Sequence, residues 1–163
     1  MHQLVCEKCR RNISYAVRKE RISGLLKGSS YAYLGEKAAC SECGSEVYVA
    51  YIEDKNLELL YNEYRKKHKI ISLDEIREIP IKYNIGKRPL SLLLGWGEMT
   101  FSRFSDGDMP TKQYSDILHY IYENPGYYLS VLEKNKDNLK SQLAYKKSKQ
   151  KVLQMLEELN LQS

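Results

Sequence analysis

The sequence predicts an α+β protein: a small N-terminal β-rich, four-cysteine domain of zinc-ribbon type, followed by an all-α domain with a C-terminal helix. Three observations predict it. All four cysteines fall in the first 43 residues as two C-x-x-C pairs. The segment between them is rich in tyrosine, valine and isoleucine, as strands are. Beyond about residue 52, apolar residues recur at helical spacing. The boundaries that follow are a metal-binding β domain at 1–52, a helical linker at 53–71, a helix-turn-helix domain at 72–135 and a final helix at 136–163.

At 163 residues the chain suits one domain or two small ones, which excludes a large enzyme with a deep, extended cleft. Lysine and arginine number 26 against 21 acidic residues, a net charge of +5, and this excess points toward an anionic partner. No stretch approaches the ~18 apolar residues of a membrane span. Charges and two cysteines occupy Met1–Arg11 where a secretory signal needs an apolar run. The expected compartment is the cytoplasm, where thiols stay reduced and more often bind metal than pair.

The cysteines stand as Cys6-Glu7-Lys8-Cys9 and Cys40-Ser41-Glu42-Cys43. A two-residue gap turns both sulfurs of a knuckle toward one ion, and two knuckles supply a tetrahedron of soft ligands. One structural Zn2+ fits best, because four thiolates leave no open position for water or substrate; paired disulfides or an iron–sulfur cluster are the alternatives. His2, near the first knuckle, is expected to be a surface residue. Between the knuckles, Ser14–Ser23 and Tyr31–Ala38 read as strands, separated by Gly24 and by the turn signal Gly28-Ser29-Ser30. Val47–Tyr51 reads as a further strand.

Leu57, Leu60, Tyr61 and Tyr64 then share a helix face ahead of the basic run Arg65–Lys69, which makes this segment a connector. Ser72-Leu73-Asp74-Glu75 matches a capping box, so a helix starts there with Leu73, Ile76, Ile79 and Tyr83 inward. Pro80 predicts a kink or an early end. Pro89–Leu94 is a short helix closed by Gly95. Gly95-Trp96-Gly97 is a tight turn, and Glu98–Ser105 is a helix with Phe101 and Phe104 inward and Glu98, Met99, Thr100, Ser102 and Arg103 outward. Thr111 caps a helix over Lys112–Asn124, with His119 as a packing residue, and Pro125–Lys134 forms another. Asn138–Leu161 is the last, its stripe of Leu139, Leu143, Leu153, Leu156 and Leu159 interrupted by lysines, which favours docking within the chain or a short pairing with a second copy over a sustained coiled coil.

A short helix, a glycine turn and a helix with polar groups at its start is the pattern of a helix-turn-helix, whose second helix lies in the major groove. On that geometry Thr100 and Arg103 are nearest base edges, arginine being able to pair bidentately with guanine. Ser102 is short enough to approach a base, and Glu98 either accepts from a cytosine amine or serves the helix dipole. Lys87, Arg88 and, more weakly, Lys112 are the phosphate contacts.

The run Pro89-Leu90-Ser91-x-Leu93-Leu94-Gly95-Trp96-Gly97-Glu98-x-Thr100-x-Ser102-Arg103-Phe104-x-x-Gly107 resembles the helix-turn-helix of phage-repressor-like (XRE/Cro-type) regulators, in the branch joined to an N-terminal cysteine zinc domain in MqsA-type antitoxins. The resemblance spans roughly residues 1–135, and the order of parts supports it: C-x-x-C, a strand-rich insert with Tyr31-x-Tyr33-x-Gly35, C-x-x-C-Gly, linker, helix-turn-helix. It implies a zinc domain that engages a cognate toxin and a helical domain that dimerises on double-stranded operator DNA to repress its own operon. The chain departs from the family in Pro80 and in its longer C-terminus.

The competing expectation is a zinc-ribbon module that binds protein or RNA, with Tyr15, Tyr31, Tyr33, Tyr48 and Tyr51 available for stacking. No enzyme is expected: His2, His68 and His119 are far apart in sequence, and no nucleophile motif, phosphate loop or HExxH is present.

Overall fold

The structure, a computed structural model, describes residues 3–162; His2 lies outside them. It is an α+β protein with a four-stranded antiparallel sheet followed by seven α-helices. The chain divides into two compact units between His68 and Lys69.

The first unit holds β1 (Gln3–Cys6), β2 (Arg11–Leu26), β3 (Ser29–Cys40) and β4 (Glu46–Val47), in spatial order β1-β2-β3-β4, and α1 (Ala50–His68). Strands β2 and β3 pair without a break from Tyr15↔Cys40 to Leu26↔Ser29. The turn is therefore the two residues Lys27 and Gly28, one position earlier than the glycine-serine signal suggests. Both take positive φ, 50° and 82°, the conformation whose twist matches the strands of a tight hairpin.

Gly24 does not separate strands but lies within β2. A Cβ there would sit 3.0 Å from Leu60 of α1, so the glycine lets the helix approach the sheet.

The expected strand at Val47–Tyr51 is a correction. Only Glu46 and Val47 pair, with Ala39 and Ala38, and α1 begins at Ala50. Helix wins because it buries Ile52 in the cluster of Cys6, Ile13, Ala38, Cys40 and Val47, and then Asn56 and Leu60 at successive turns. The segment expected as a helical linker at 53–71 is helical up to His68, but as part of α1 it packs on β3 and β2 instead of standing apart as a connector. Asn56 fixes it there, accepting from the Glu36 amide at 3.0 Å and donating to the Glu36 carbonyl at 2.8 Å.

The second unit contains α2 (Leu73–Lys82), α3 (Lys87–Leu93), α4 (Thr100–Ser105), α5 (Lys112–Glu123), α6 (Pro125–Lys134), a 3-10 turn (Lys136–Asn138) and α7 (Gln142–Gln162). The capping box forms: Ser72 Oγ accepts from the Glu75 amide at 3.1 Å, and the Glu75 carboxylate accepts from the Ser72 amide at 3.4 Å. Pro80 falls in the last turn of α2, where its missing amide deprives only the Ile76 carbonyl of a helical donor. Thr111 caps α5, accepting from the Tyr114 amide. Ile76, Ile79, Tyr83, Leu90, Leu93 and Phe101 form one core with Leu118, Ile121, Tyr128, Leu132 and Val152, all fully buried.

The C-terminal segment is part of this unit rather than a separate domain. Its helix starts at Gln142 and docks on the core through Tyr145, Ser148, Val152 and Met155. The stripe read from the sequence faces elsewhere in part, since Leu143, Leu153 and Leu159 are exposed. No described helix is long and apolar enough to cross a membrane.

Candidate functional site

The four cysteines meet at the end of the sheet. Cys6 closes β1, Cys40 closes β3, and Cys9 and Cys43 follow in the two turns. Their sulfurs all lie within 4.8 Å of one another, with Cys6 to Cys43 at 3.7 Å and Cys9 to Cys40 at 3.9 Å. A tetrahedron with metal–sulfur bonds of about 2.3 Å has edges of about 3.8 Å. The arrangement thus fits one metal ion held by four sulfurs.

The two knuckles close alike, each with a backbone bond from the amide four residues on to the carbonyl of its first cysteine, though a different amide faces the sulfur in each. In the first, the Cys9 amide points to Cys6 Sγ at 3.4 Å and the Arg10 amide donates to the Cys6 carbonyl at 2.7 Å. In the second, the Glu42 amide points to Cys40 Sγ at 3.4 Å and the Gly44 amide donates to the Cys40 carbonyl at 2.9 Å. Each knuckle ends on a left-handed residue, Arg10 at φ 58° and Gly44 at φ 76°. Outside the sulfurs, Arg11 pairs with Glu42 and so ties one knuckle to the other.

Protonation across the cluster is uneven. The Ser45 hydroxyl, 2.9 Å from Cys43 Sγ, brings that thiol down to about 6. The Cys9 amide lowers Cys6. Cys9 itself is pushed up to about 12, first by the neighbouring Cys43 sulfur and then by desolvation. Like charges resist sharing a site of this size, and a divalent cation is what allows all four sulfurs to be thiolates together. An ion held by all four sulfurs would have a closed coordination sphere, with no position left for water or substrate.

In the second unit, α3 and α4 are joined through a buried serine. Ser91 Oγ accepts from the Phe101 amide at 2.8 Å, while its carbonyl accepts from the Trp96 amide at 2.9 Å. Gly95 supplies the positive φ, 76°, of the turn between them. Phe101 and Phe104 face inward, and Trp96 packs edge-on against Tyr114 and Phe104 with ring centroids 4.7 and 6.0 Å apart. Arg77 of α2 holds the far end of α4 by donating to the Ser105 carbonyl at 2.9 Å.

The sequence-selected residues divide on this frame. Thr100 and Ser102 are half-buried on α4, and Arg103 is exposed there. Arg103 and Lys87 make no side-chain hydrogen bond or ion pair with the described residues. Glu98 is not on the helix, as expected from sequence, but in the turn before it, because α4 starts two residues later at Thr100. Its carboxylate is shared by two cations, accepting from Arg88 Nε at 3.0 Å and from Lys140 Nζ at 2.6 Å. These bonds, that from Lys140 first, hold its pKa below the ordinary carboxylate range. Lys112 donates to the Lys69 carbonyl at 3.0 Å and pairs with Asp116 at 2.9 Å. His119 is half-buried and reaches Glu123 at 2.9 Å.

Sequence reasoning missed Ser91, Arg77 and Lys140. A lone serine among leucines at 90–94 was a signal for the first; the other two act over long separations that no local pattern shows.

No protein-family model matches this chain, and no curated protein matches it significantly in sequence.

Proposed function

We propose that the chain is a sequence-specific, double-stranded-DNA-binding transcriptional regulator with a structural zinc centre, acting as the antitoxin of a type II toxin–antitoxin system. It binds its own operator as a homodimer and represses the operon, and the zinc unit engages the cognate toxin. The supporting observation is the helix pair α3 and α4: short, locked together through Ser91, and presenting an exposed Arg103 that no neighbour engages. A rigid support under an uncommitted arginine is what base readout requires, since the side chain must arrive already aimed. Zinc is the reading for the metal because four thiolates at tetrahedral edges suit it and offer no reactive position. We read the chain as non-enzymatic, because its histidines are dispersed in sequence and it carries no nucleophile motif or phosphate loop.

A second reading rests on Tyr48 and Tyr51, which stand 73% and 72% exposed beside the zinc unit's core. Aromatic rings so placed suit a protein or single-stranded RNA partner.

Selection of duplexes from a random pool, followed by titration of the winner and a scrambled control, separates the two. The regulator gives a dyad-symmetric winner bound at least ~10³-fold over the control. In the same assay Arg103→Ala relaxes specificity at one base position, whereas Lys87→Ala weakens all sequences alike and lowers the salt slope by about one. No winner, with tighter binding to single-stranded RNA, supports the second reading. Co-expression with the gene beside the selected promoter then tests toxin neutralisation.

A further inference from the structure

Arg88, Glu98 and Lys140 form one exposed cluster assembled from three distant places in the sequence. Arg88 lies in the first turn of α3, Glu98 in the turn before α4, and Lys140 in the segment that enters α7. The two cations do not share an oxygen: Arg88 holds Oε2 of Glu98 and Lys140 holds Oε1. Beside them opens a recess of about 210 Å³, lined by both cations, Ser141, Leu92 and Leu139. Arg88 and Lys140 are 64% and 72% exposed.

One anionic group gripped through two separate oxygens by a guanidinium and an ammonium is the bonding pattern of a phosphate on a DNA-binding surface. A carboxylate paired there with two well-exposed cations is held weakly, because water screens both pairs. A duplex brings a dense array of phosphates to the same spot. Glu98 lies close to Gly95 and Gly97 in the turn, and a third of its side chain is exposed. No other acidic side chain pairs with either cation among the described residues.

We propose that Arg88 and Lys140 are a two-cation clamp for one phosphodiester of the DNA backbone, and that Glu98 fills this clamp in the free protein and leaves as the phosphate enters. This deepens the DNA-binding reading and rests on it. It gives Glu98 the role of an internal competitor instead of a base reader, and it adds Lys140 to the phosphate contacts. Since backbone phosphates are alike, the competition lowers affinity for every duplex equally and leaves sequence preference untouched.

The test uses the full chain and its Glu98→Gln, Lys140→Ala and doubly substituted forms, titrated with the selected duplex and its scrambled control at several salt concentrations. Both altered side chains reach solvent, Lys140 72% and Glu98 33% exposed, and circular dichroism of each variant checks that it is folded. Glu98→Gln is expected to tighten binding to both duplexes by up to about tenfold, the range spanned by two exposed ion pairs. Lys140→Ala is expected to weaken both and to lower the salt slope by about one. In the Lys140→Ala background the gain from Glu98→Gln shrinks, because one of the cations it releases is gone. A gain of the same size in both backgrounds would show long-range charge repulsion and overturn the clamp. So would a Glu98→Gln loss confined to the selected duplex, which marks a base contact, or a salt slope indifferent to Lys140. Inorganic phosphate at matched ionic strength is expected to leave duplex affinity unchanged; selective competition by it would make this a free-anion site instead. Wild-type protein that binds no duplex overturns the DNA-binding reading itself, whereas wild-type binding with unresponsive variants overturns the clamp alone.

Discussion

Ser148 Oγ donates a 2.6 Å hydrogen bond to the backbone carbonyl of Tyr83, 65 residues away in the chain. A serine hydroxyl has one proton, so the Tyr128 hydroxyl, which also meets Ser148 Oγ, must donate to it. Tyr83 in turn donates to the Ile121 carbonyl at 2.6 Å, and the rings of Tyr83 and Tyr128 stack with centroids 3.9 Å apart. Burial pushes the Tyr128 phenol up to about 12 and Tyr83 higher still, so both remain donors. This chain of satisfied bonds anchors α7 to the rest of its unit together with the buried Val152.

Ser148→Ala removes the donor and leaves the Tyr83 carbonyl and the Tyr128 hydroxyl buried without it. The expected loss is about 1–3 kcal/mol for the stranded carbonyl alone. Leu153→Ala, on the exposed side of the same helix, is expected to stay within about 0.5 kcal/mol of wild type. Urea unfolding followed by fluorescence of Trp96, the sole tryptophan, measures both. A larger effect at Leu153 than at Ser148 would mean that α7 docks by its leucines.

The same residue explains why α7 was the least legible element. A leucine stripe is the usual sign of a docking face, but here Tyr145, the lysine-flanked Ser148, Val152 and Met155 make the contact and Leu143, Leu153 and Leu159 face solvent. Where local chemistry dictates the outcome, the sequence was enough: the capping box at Ser72, the inward Phe101 and Phe104, and the spacing of Cys6, Cys9, Cys40 and Cys43 are all realised. The start of α1 was not legible because Val47–Tyr51 has strand propensity that burial of Ile52 overrides. The Glu98 cluster was illegible for another reason, that its third member lies 42 residues on.

Gly35 of β3 gives a sharp test of how α1 seats on the sheet. A Cβ there would lie 2.6 Å from Asn56 Oδ1, 2.8 Å from Ile22 Cδ1 and 2.9 Å from Tyr33 Cε2. Asn56 is not free to retreat, since both ends of its carboxamide bind the Glu36 backbone. Gly35→Ala is therefore expected to cost about 1–3 kcal/mol in the first unit. Adding Asn56→Ala clears the closest clash, so the second substitution costs less in the Gly35→Ala background than alone. Hydrogen exchange of the β2 and β3 amides reads the effect; strict additivity would show that the glycine's neighbours yield.

Metal removal separates the two units. Elemental analysis is expected to find one zinc per chain, and cobalt substitution to give the visible bands of a tetrahedral thiolate site. The free energy of metal binding is folding free energy for the part of the chain that carries the ligands. A strong chelator, or Cys40→Ser, is thus expected to abolish amide protection in β1–β4 while Trp96, in the second unit, reports an unchanged unfolding midpoint. A midpoint that falls with the metal would show that the units fold as one.

The clasp between α6 and α7 sets an acid limit on the second unit. Glu133 accepts from the Tyr145 hydroxyl at 2.7 Å and pairs with Lys149 at 2.9 Å. These contacts, the Lys149 bond foremost, depress the Glu133 pKa, and the same bond raises that of Lys149. A carboxyl whose folded pKa is lowered binds protons more weakly folded than unfolded. Its contribution is complete above the unfolded value of about 4.3 and disappears as pH falls through the folded one. For Lys149 the sign reverses: its contribution is complete below about 10.4 and is lost as pH rises through the elevated folded value. Stability from this pair is accordingly flat through neutral pH and declines at both ends. Glu133→Gln removes the charge, so its Trp96-detected unfolding midpoint is expected below wild type near neutrality, with the gap closing as pH drops under about 4. A gap that persists unchanged into strong acid would assign the Glu133 contribution to shape and neutral hydrogen bonding, and the acid limit would have to come from another carboxylate.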